Sequence, residues 1–280
     1  MQGKVVVISG GTSGIGQIAA ERLASMGARI VLVARSQSRG ETTLDRLRAL
    51  APAQAHSVHY GDLSRVTEMR RVGKEIAEAE PRIDVLMNNA GAMFGQRSVT
   101  EDGLELTFAT NHLSYFVMTY LLRERLAASG PARVVNTSSH AHYRGTIDFD
   151  NLQYERGYKA FPAYCRSKLC NVLFTRVLAK RLEGSGVTAN SLHPGFVNTR
   201  FADGSSGGMA RVIGLMKIFA ISPEKGADTP IYLASSNDVA QTSGLYFYKR
   251  KSVAPSKIAQ DDAVAERLWQ ATEKLAGIRW

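Results

Sequence analysis

The feature of the sequence that most constrains its fold is a regular alternation of short apolar runs with longer segments of helical periodicity. The predicted strands are Lys4–Ser9, Arg29–Ala34, Ala55–Tyr60, Ile83–Asn88, Arg133–Thr137, Val187–Leu192 and Leu245–Tyr248. The predicted helices are Gly14–Met26, Arg39–Ala51, Arg65–Glu80, Glu101–Ala128, Phe161–Leu182, Pro223–Ala234 and Asp261–Ala276. Short runs that are apolar throughout are typical of strands covered on both faces. The alternation therefore predicts an α/β fold, with one doubly wound, seven-stranded parallel sheet that has helices on both faces.

The chain has no stretch of linker composition, low complexity or internal repeat, so residues 1–280 are predicted to form a single domain. Two segments, residues 140–160 and residues 198–221, do not fit the alternation. Both follow predicted strands, and ligands bind beyond the carboxyl ends of the strands in doubly wound sheets. We therefore expect both segments to lie on the substrate side of the molecule.

Composition and charge narrow the classes of protein to consider. A hydrophobic content of 44% is enough for a substantial core and does not indicate disorder. The formal net charge of +10 is compatible with an anionic ligand, and equally with a basic protein that uses its charge for nothing specific. The basic residues are spread along the chain, so a nucleic-acid partner would rest on charge alone and is not predicted.

The cysteines and the first residues bear on the cellular compartment. Cys165 and Cys170 are five positions apart and project from different faces of a predicted helix, which favours reduced packing residues over a disulfide or a metal site. The apolar run Val5–Ile8 is too short for a signal sequence or a membrane span. We therefore expect a cytoplasmic protein with no membrane span.

A glycine-rich loop follows the first predicted strand and leads into a helix. It reads Gly10-Gly11-Thr12-Ser13-Gly14-Ile15-Gly16. Its spaced glycines allow a tight turn and a close approach of the backbone to a pyrophosphate, and the helix N-terminus adds unpaired N–H groups. In this position the loop predicts a Rossmann-type dinucleotide site, although a tight strand-to-helix turn without a ligand is the alternative.

A second motif lies on the predicted helix Phe161–Leu182. Tyr164 and Lys168 are four residues apart, so both side chains lie on one helix face, one turn from each other. An ammonium beside a phenol favours the phenolate and lowers the tyrosine pKa toward the range of a general acid or base. Taken alone, such a pair is also common on solvated helix faces.

Further motifs in a fixed order point to one family. The glycine loop is spaced G-x-x-x-G-x-G, and after it come Asp62-Leu63, Asn88-Asn89-Ala90-Gly91, Asn111, Ser138-Ser139, Tyr164-x-x-x-Lys168 and Pro194-Gly195-x-Val197-x-Thr199. This order resembles the short-chain dehydrogenase/reductase family over about residues 3–250. The resemblance implies a nicotinamide dinucleotide cofactor and hydride transfer between an alcohol and a carbonyl.

The resemblance also implies which residues bind the cofactor. They are Gly10, Thr12, Ser13, Gly14, Ile15 and Gly16 at the phosphates, Asp62 and Leu63 at the adenine, Asn89, Ala90 and Gly91 at the adenosine ribose, Tyr164 and Lys168 at the nicotinamide ribose, and Pro194, Gly195, Val197 and Thr199 at the carboxamide. Singly, several have simpler explanations: Asp62 reads as a helix N-cap, and the Asn-Ala-Gly and Pro-Gly sequences read as turns.

The end of the second strand bears on the choice of cofactor. Relatives that use NAD carry an aspartate there that bonds the ribose 2′-hydroxyl, whereas this chain has Ala34 followed by Arg35. A guanidinium binds a 2′-phosphate in a forked contact, so NADP(H) is predicted as the preferred cofactor and NAD(H) as a possible one. Arg39 could supply a second positive charge, although the pattern favours an exposed helix residue, and Ser13 stands where some relatives that use NADP have a basic residue.

The resemblance implies a role for each residue of the catalytic set. Tyr164 donates the proton to the nascent alkoxide, and Lys168 lowers the tyrosine pKa. Ser139 holds the substrate oxygen, with Ser138 as its competitor for that role. Asn111 anchors a water that links Lys168 to solvent. A serine pair at a strand end also reads as a turn, and Asn111 as a satisfied buried amide.

The 25 positions from Ser139 to Tyr164 form an insert that resembles the retinol-dehydrogenase branch of the family. Residues 253–280 are similar to that branch too, so we expect a C-terminal helical tail that packs on the domain. The predicted substrate is a small-molecule carbonyl or alcohol, bulky and lipophilic, such as a retinal-like, steroid or polyketide-type compound. The start of this chain does not have the apolar anchor of the membrane-bound members of the branch, which weakens the case for a retinoid.

Four further expectations complete the sequence-based interpretation. Residues 207–221 are apolar and suit a lid over the pocket, a membrane contact or a buried helix. His140 and His142 have no third ligand of suitable spacing nearby, so no metal is predicted. Family members commonly assemble through two long helices, which implies a homodimer or homotetramer. The alternative function is a catalytically silent NADP(H)-sensing or scaffold protein, which would have no need of all four catalytic residues.

Overall fold

The computed structural model describes residues 1–195 and 222–280. Its strands are β1 (Val5–Ser9), β2 (Arg29–Ala34), β3 (Ser57–Tyr60), β4 (Val85–Asn88), β5 (Ala132–Thr137), β6 (Val187–His193), β7 (Tyr246–Tyr248) and β8 (Lys251–Ser252). Its helices are α1 (Gly14–Ser25), α2 (Gln37–Leu50), α3 (Val66–Ala79), α4 (Leu106–Phe108), α5 (Ser114–Ala127), α6 (Ala160–Arg181), α7 (Pro223–Ser235) and α8 (Asp262–Ala276).

All the strands belong to one sheet in the order β3-β2-β1-β4-β5-β6-β7-β8. The first seven are parallel, which confirms the predicted architecture, and the two-residue β8 pairs antiparallel with β7 as an addition. The predicted strand bounds differ from the observed ones by no more than two residues. Because β1 lies between β2 and β4, the chain reverses its winding there, and a crevice opens at the carboxyl ends of these strands.

Alternate side chains of the sheet supply two apolar cores. Val6 and Ile8 of β1 belong to a core with Leu23 of α1, on one face of the sheet. Val7 points the other way, into a core formed with α3, α5, α6 and α8, where Leu173 is fully buried. Each such side chain stabilises the fold by about 1.5–3 kcal/mol on burial. The two cores hold the sheet rigid and fix where its carboxyl edge presents polar residues.

The predicted helix Glu101–Ala128 is wrong at its start, because helical structure begins only at Leu106. The Glu105 carboxylate accepts hydrogen bonds from the backbone N–H groups of Thr107 and Phe108, both at 2.7 Å, and so caps the helix there. A π-helical turn at Ala109–Leu113 then joins α4 to α5. Turns of this kind often mark functional sites, and Asn111 lies inside this one.

The C-terminal helix α8 packs against both long helices through aromatic rings. Trp269 stacks on Phe174 of α6 with ring centres 5.7 Å apart, and it meets Phe116 of α5 edge-on at 4.9 Å. An ion pair between Arg181 and Glu266 lies beside the same contact. The chain itself therefore covers this face of α5 and α6. Assembly into a homodimer or homotetramer through these helices stays a prediction.

Candidate active site

The glycine loop joins β1 to α1 and is pressed against the end of β4. Gly10 has a φ of +68°, a conformation that favours glycine. A Cβ atom at Gly16 would lie 2.3 Å from the Gly10 carbonyl oxygen and 2.5 Å from the Asn89 side-chain nitrogen. The Asn89 amide in turn donates to the Gly10 carbonyl at 3.2 Å. No side chain fits at Gly16, so the loop holds a backbone surface at the N-terminus of α1, where anions bind.

The ends of β1 to β4 line a cavity of about 210 Å³, which we call the basic groove. Of the residues predicted to bind the cofactor, Gly10, Thr12, Arg35, Asp62, Leu63, Ala90 and Gly91 line it. Asn89 lies beside the groove and braces Gly10 as described above. Asp62 does not cap α3, since the N-cap is Arg65; its carboxylate instead accepts from the Ser64 N–H at 3.0 Å. The structure therefore brings the separate motifs of the first 91 residues to one crevice.

Two arginines give the groove its charge. Arg35 follows β2, Ser36 caps α2, and Arg39 lies one turn into that helix. Arg39 is exposed, as the sequence suggested, and it also lines the groove together with Arg35. Among the described residues of the lining, the charged side chains are these two guanidinium groups and Asp62. The end of the groove that lies beyond β2 is therefore suited to an anionic group.

Tyr164 and Lys168 lie one turn apart on α6, with the lysine nitrogen 5.7 Å from the centre of the tyrosine ring. Lys168 is 3% exposed, and its ammonium donates to the Thr137 carbonyl at 3.1 Å. Burial lowers the pKa of Lys168 to about 7, because a desolvated ammonium is disfavoured.

The pKa of Tyr164 differs in direction from the sequence expectation. Burial raises it to about 12, and the hydrogen bond from the Ser139 side chain offsets this only in part. Lys168 does not lower the Tyr164 pKa in this arrangement, because its ammonium bonds the Thr137 carbonyl and the largest effect on the phenol is desolvation by burial. A phenol with this pKa is protonated at neutral pH, which is the form that can donate a proton.

The structure distinguishes the two serines that follow β5. The Ser139 hydroxyl bonds the Tyr164 side chain and accepts from the Ala141 N–H at 3.2 Å. The Ser138 hydroxyl donates to the Lys168 backbone carbonyl at 2.7 Å and is buried against α6. The resemblance favoured Ser139 with Ser138 as its competitor, and of the two serines Ser139 is the one that bonds the phenol. Ser138 instead fixes the helix that carries Tyr164.

Asn111 holds the loop that follows β4. Its side chain pairs with both backbone groups of Ala92, accepting from N–H and donating to C=O, each at 2.8 Å. It also donates to the Ser167 hydroxyl at 2.9 Å. A Cβ atom at Gly91 would lie 3.1 Å from the Lys168 nitrogen and 3.2 Å from the Asn111 side-chain oxygen. The basic groove and the catalytic residues therefore meet at Gly91.

The insert contains two histidines in very different settings. His142 is fully buried: its Nδ1 bonds the Ser139 carbonyl at 2.7 Å, and its Nε2 accepts from the Ser256 N–H at 3.1 Å. Burial lowers its pKa to about 4. His140 is exposed. Across residues 1–195 and 222–280, no three histidine, cysteine or carboxylate side chains are grouped as metal ligands.

A row of rings at the carboxyl ends of β5, β6 and β7 was missed by sequence reasoning. His140 lies 4.8 Å from Tyr143 and 5.6 Å from His193, measured between ring centres. His193 in turn stacks on Tyr248 at 5.0 Å. The sequence signal was a polar aromatic residue directly before the Pro194-Gly195 turn. The row borders the insert next to Ser139.

Arg166 was also missed, although it stands between Tyr164 and Lys168 in the sequence. It is only 5% exposed and donates to the carbonyls of Thr146 and Asn151 at 3.0 and 2.6 Å. Its guanidinium also lies 3.8 Å from the centre of the Tyr154 ring. The sequence signal was a charged residue on a helix that was otherwise expected to be buried. Arg166 fastens the insert to α6.

Some predicted residues lie at or beyond the edge of the described chain. Pro194 and Gly195 follow β6, and the Gly195 N–H donates to Nδ1 of His193 at 3.3 Å. Val197, Thr199 and residues 198–221 lie outside the described residues, as does the apolar segment 207–221. In the part of the chain that is described, no helix is both long enough and apolar enough to cross a bilayer.

Comparisons with known proteins agree with this geometry. A family model described as short chain dehydrogenase matches residues 4–208. Human retinol dehydrogenase 12 is 42% identical over 280 residues, which cover all of this chain and 88% of that protein. The crystal structure of an uncharacterized Mycobacterium paratuberculosis protein has a TM-score of 0.80 and 31% identity, covering 99% of this chain and 95% of that one. The Pseudomonas aeruginosa RhlG/NADP active-site complex has a TM-score of 0.70 and 28% identity, with coverages of 88% and 94%.

Proposed function

We propose a specific reaction for this chain, which belongs to the short-chain dehydrogenase/reductase family. As a member of the retinol-dehydrogenase-like branch of that family, it is an oxidoreductase that acts on CH–OH groups. It interconverts an alcohol and an aldehyde or ketone, uses NADP(H) in preference to NAD(H), and employs Tyr164 as the acid/base. The observation that carries this proposal is the meeting of the basic groove with Lys168 and Asn111 at Gly91.

The groove has the features that a dinucleotide requires. The glycine loop offers backbone N–H groups at a helix N-terminus to a pyrophosphate, and the space at Gly16 leaves no room for a side chain. Leu63 and Ala90 offer apolar and backbone surface farther along the groove. Gly91 then lets the bound molecule approach the Lys168 ammonium. The residues present therefore fit a nicotinamide dinucleotide.

The preference for NADP(H) rests on the two arginines. Arg35 and Arg39 line the end of the groove that follows β2, where a ribose 2′-substituent would lie. Ala34 is apolar and buried there, so no carboxylate at that position repels a phosphate. A guanidinium pairs with a phosphate in two charge-assisted hydrogen bonds, whereas a ribose hydroxyl offers far less to either arginine.

The side chains at the carboxyl end of β5 account for the chemistry of the substrate oxygen. The nicotinamide cofactor supplies or accepts the hydride. Tyr164, protonated at neutral pH, donates a proton to the oxygen of the reduced carbonyl and becomes a phenolate; in the reverse direction the phenolate takes the proton from the alcohol. Ser139 bonds the phenol and is placed to hold the same oxygen. Lys168 supplies positive charge behind the phenol, which stabilises the phenolate left after donation.

A bulky, lipophilic carbonyl is the substrate class that we propose. The row of rings from Tyr143 to Tyr248 lies next to Ser139, and a group of aromatic rings near the reacting oxygen favours a planar or conjugated substrate. The name of the human relative, retinol dehydrogenase 12, makes a retinal-like aldehyde the first compound to examine. Steroid and polyketide-type carbonyls are the next.

Turnover of NADPH against a panel of retinal, steroid, aromatic and polyketide-type carbonyls tests the proposal. We expect oxidation of NADPH that depends on a lipophilic carbonyl, with NADH weaker at the same concentration. NADPH binding without turnover of any carbonyl or alcohol would instead indicate a silent sensor or scaffold. Stronger activity with NADH than with NADPH would overturn the cofactor preference alone.

A further inference from the structure

His112 follows Asn111 in the π-helical turn and is the centre of a buried chain of polar groups. The side chain is 1% exposed, between the rings of Phe108 and Phe174. Its Nδ1 lies 3.3 Å from the Asn171 side-chain oxygen on α6, and its Nε2 lies 3.0 Å from the Thr272 hydroxyl on α8. One ring therefore joins the catalytic helix to the C-terminal helix.

The Asn171 side chain has only one orientation that satisfies its neighbours. Its nitrogen donates to the backbone carbonyls of Asn111 at 2.9 Å and Thr137 at 3.3 Å. Both of these partners are acceptors, so the amide nitrogen must face them and the amide oxygen must face His112. The backbone carbonyl of Asn111, the residue expected to anchor a water, has this amide as a partner.

The orientation of the amide decides the tautomer of His112. Because the Asn171 oxygen can only accept, Nδ1 of His112 must carry a proton and donate it. Burial lowers the pKa of His112 to about 4, so the ring is neutral at pH 7 and Nε2 is an acceptor. Nε2 then accepts from the Thr272 hydroxyl at 3.0 Å, and the single hydrogen of that hydroxyl is shared with the Leu268 carbonyl, to which it also donates at 2.8 Å. The donors point in one direction, from Thr272 to His112 to Asn171.

The chain of polar groups ends at an acceptor that the catalytic lysine also uses. The Thr137 carbonyl receives both the Asn171 amide at 3.3 Å and the Lys168 ammonium at 3.1 Å. We propose that His112 and Thr272 are positioning residues, which hold the Asn171 amide on this carbonyl and so limit how strongly the carbonyl stabilises the Lys168 ammonium. The inference rests on the proposed function, since Lys168 matters only if the reaction occurs.

The surroundings of Lys168 make the effect measurable. Among the described residues, the titratable groups that face its nitrogen are Tyr164 on its own helix and Tyr115 on α5, with ring centres at 5.7 and 5.8 Å. No carboxylate or second cation contacts it in that part of the chain. When the Asn171 amide turns away, the Thr137 carbonyl keeps only the ammonium and the more distant Tyr115 hydroxyl at 3.4 Å as donors, which favours the charged form of Lys168.

Two variants of Thr272 test the inference. Thr272→Val removes the hydroxyl and keeps the volume, so the chain of polar groups loses its first donor, whereas Thr272→Ser keeps it. In Thr272→Val we expect kcat for carbonyl reduction at pH 7 to be unchanged or modestly higher, because the protonated ammonium is the form that stabilises the phenolate. We also expect the pH at which kcat falls on the alkaline side to rise by about half a pH unit or more, because Lys168 stays protonated up to a higher pH. Thr272→Ser should behave as the wild type, and KM for NADPH should change little in either variant.

Controls separate positioning from packing. Thr43→Val deletes a buried hydroxyl that bonds the Arg39 carbonyl of its own helix, so it reports the general effect of such a deletion. If Thr272→Val lowers stability or kcat without moving the alkaline limb, the role of Thr272 is merely structural and the inference is overturned.

The tautomer gives a measurement that does not need turnover. In nitrogen-15 NMR spectra of the full-length wild-type protein at pH 7, we expect assigned His112 to be protonated at Nδ1 and bare at Nε2. Protonation at Nε2 instead would overturn the proposed direction of the hydrogen bonds even in an active enzyme. If the tautomer is as expected but no carbonyl is reduced, the proposed function fails while the geometry of the polar chain stands.

Discussion

The basic groove and the catalytic centre adjoin at Gly91, yet they hold their polar groups in different ways. In the groove, Arg35 and Arg39 are exposed and the rest of the surface is largely backbone brought close by glycine. In the centre, Asn111 and Lys168 are buried and tied to carbonyls and side chains from other elements. The groove exposes its charges to solvent, where a charged ligand can bind them. The polar groups of the centre already have hydrogen-bond partners within the protein.

This contrast has an electrostatic consequence. Exposed guanidinium groups keep their hydration and act on a ligand through screened contacts, so each contributes modestly to binding. Desolvated groups have shifted pKa values, as Lys168 at about 7 and Tyr164 at about 12 show. We therefore expect substitutions in the centre to affect the chemical step strongly, and substitutions in the groove to affect binding more mildly.

The largest effect is expected at Tyr164. Tyr164→Phe removes the proton donor but keeps the ring, so kcat should fall by roughly 10²–10⁴-fold, the usual contribution of a general acid. The dissociation constant of NADPH, measured by fluorescence titration, should stay within a few-fold of the wild type. Tyr60→Phe, which removes a phenol hydroxyl that bonds Glu41, is the matched control and should turn over normally. If Tyr164→Phe reduced carbonyls as fast as the wild type, the phenol would not be the proton donor.

A second expectation concerns pH and stability. Burial lowers the pKa of His112, His142 and His193 to about 4 in the folded chain, against about 6.5 when unfolded. The unfolded state therefore binds more protons between these values, so stability is full above pH 6.5 and is lost as pH falls toward 4. Between pH 6 and 5 the free energy of unfolding should fall by about 2–4 kcal/mol. Urea denaturation at the two pH values measures it, and a flat profile would show that these rings are not buried as described.

A third expectation compares two glycines. Gly16→Ala places a methyl group against the Gly10 carbonyl and the Asn89 amide, so we expect the free energy of unfolding to fall by about 1–3 kcal/mol and NADPH binding to weaken. At Gly95 a Cβ atom has nothing within 4 Å, which makes Gly95→Ala the matched control. Denaturation curves of the two variants should separate clearly. Equal stability would mean that the loop can yield and that the close approach is not essential.

The smallest expected effect lies at the arginines of the groove. Arg35→Ala and Arg39→Ala should each weaken NADPH binding on the order of tenfold while leaving NADH binding nearly unchanged. Arg48→Ala removes an exposed arginine of α2 that bonds Asp45 rather than lining the groove, and it controls for the loss of positive charge. Isothermal titration with both cofactors measures the effect. An unaltered preference in both variants would contradict the role assigned to these side chains.

Much of the fold followed from local patterns. The seven parallel strands were predicted because each is a short apolar run. The apolar residues of a strand and the turn residues that flank it lie within a few positions of each other, so the sequence shows them directly. The start of the helix near Glu105 was not, because its cap depends on the side chain turning back onto Thr107 and Phe108, and Gln153 from the insert bonds the Glu105 N–H at 2.8 Å. A contact across 48 positions leaves no mark in the local pattern.

The same distinction between local patterns and distant contacts applies to the candidate active site. The order of the motifs along the chain was enough to assign Gly10, Asn111, Tyr164 and Lys168 to one site. It favoured Ser139 over Ser138 by resemblance alone, because the local sequence does not say which of the two serines faces α6. It also assigned Lys168 the wrong dominant effect on Tyr164, since the desolvation of both groups depends on how deeply α6 is buried.

By itself, the sequence determined the α/β architecture, the glycine loop at its first turn and the Tyr-Lys pair on one helix face, because each depends on spacing within a short stretch. Only the tertiary structure decided that Arg39 joins Arg35 in one groove and that Gly91 touches both halves of the site. It also decided that Thr272, far along the chain from Lys168, is linked to it through His112 and Asn171. Such links form when buried polar groups must find partners, and those partners come from whichever element lies nearest in space.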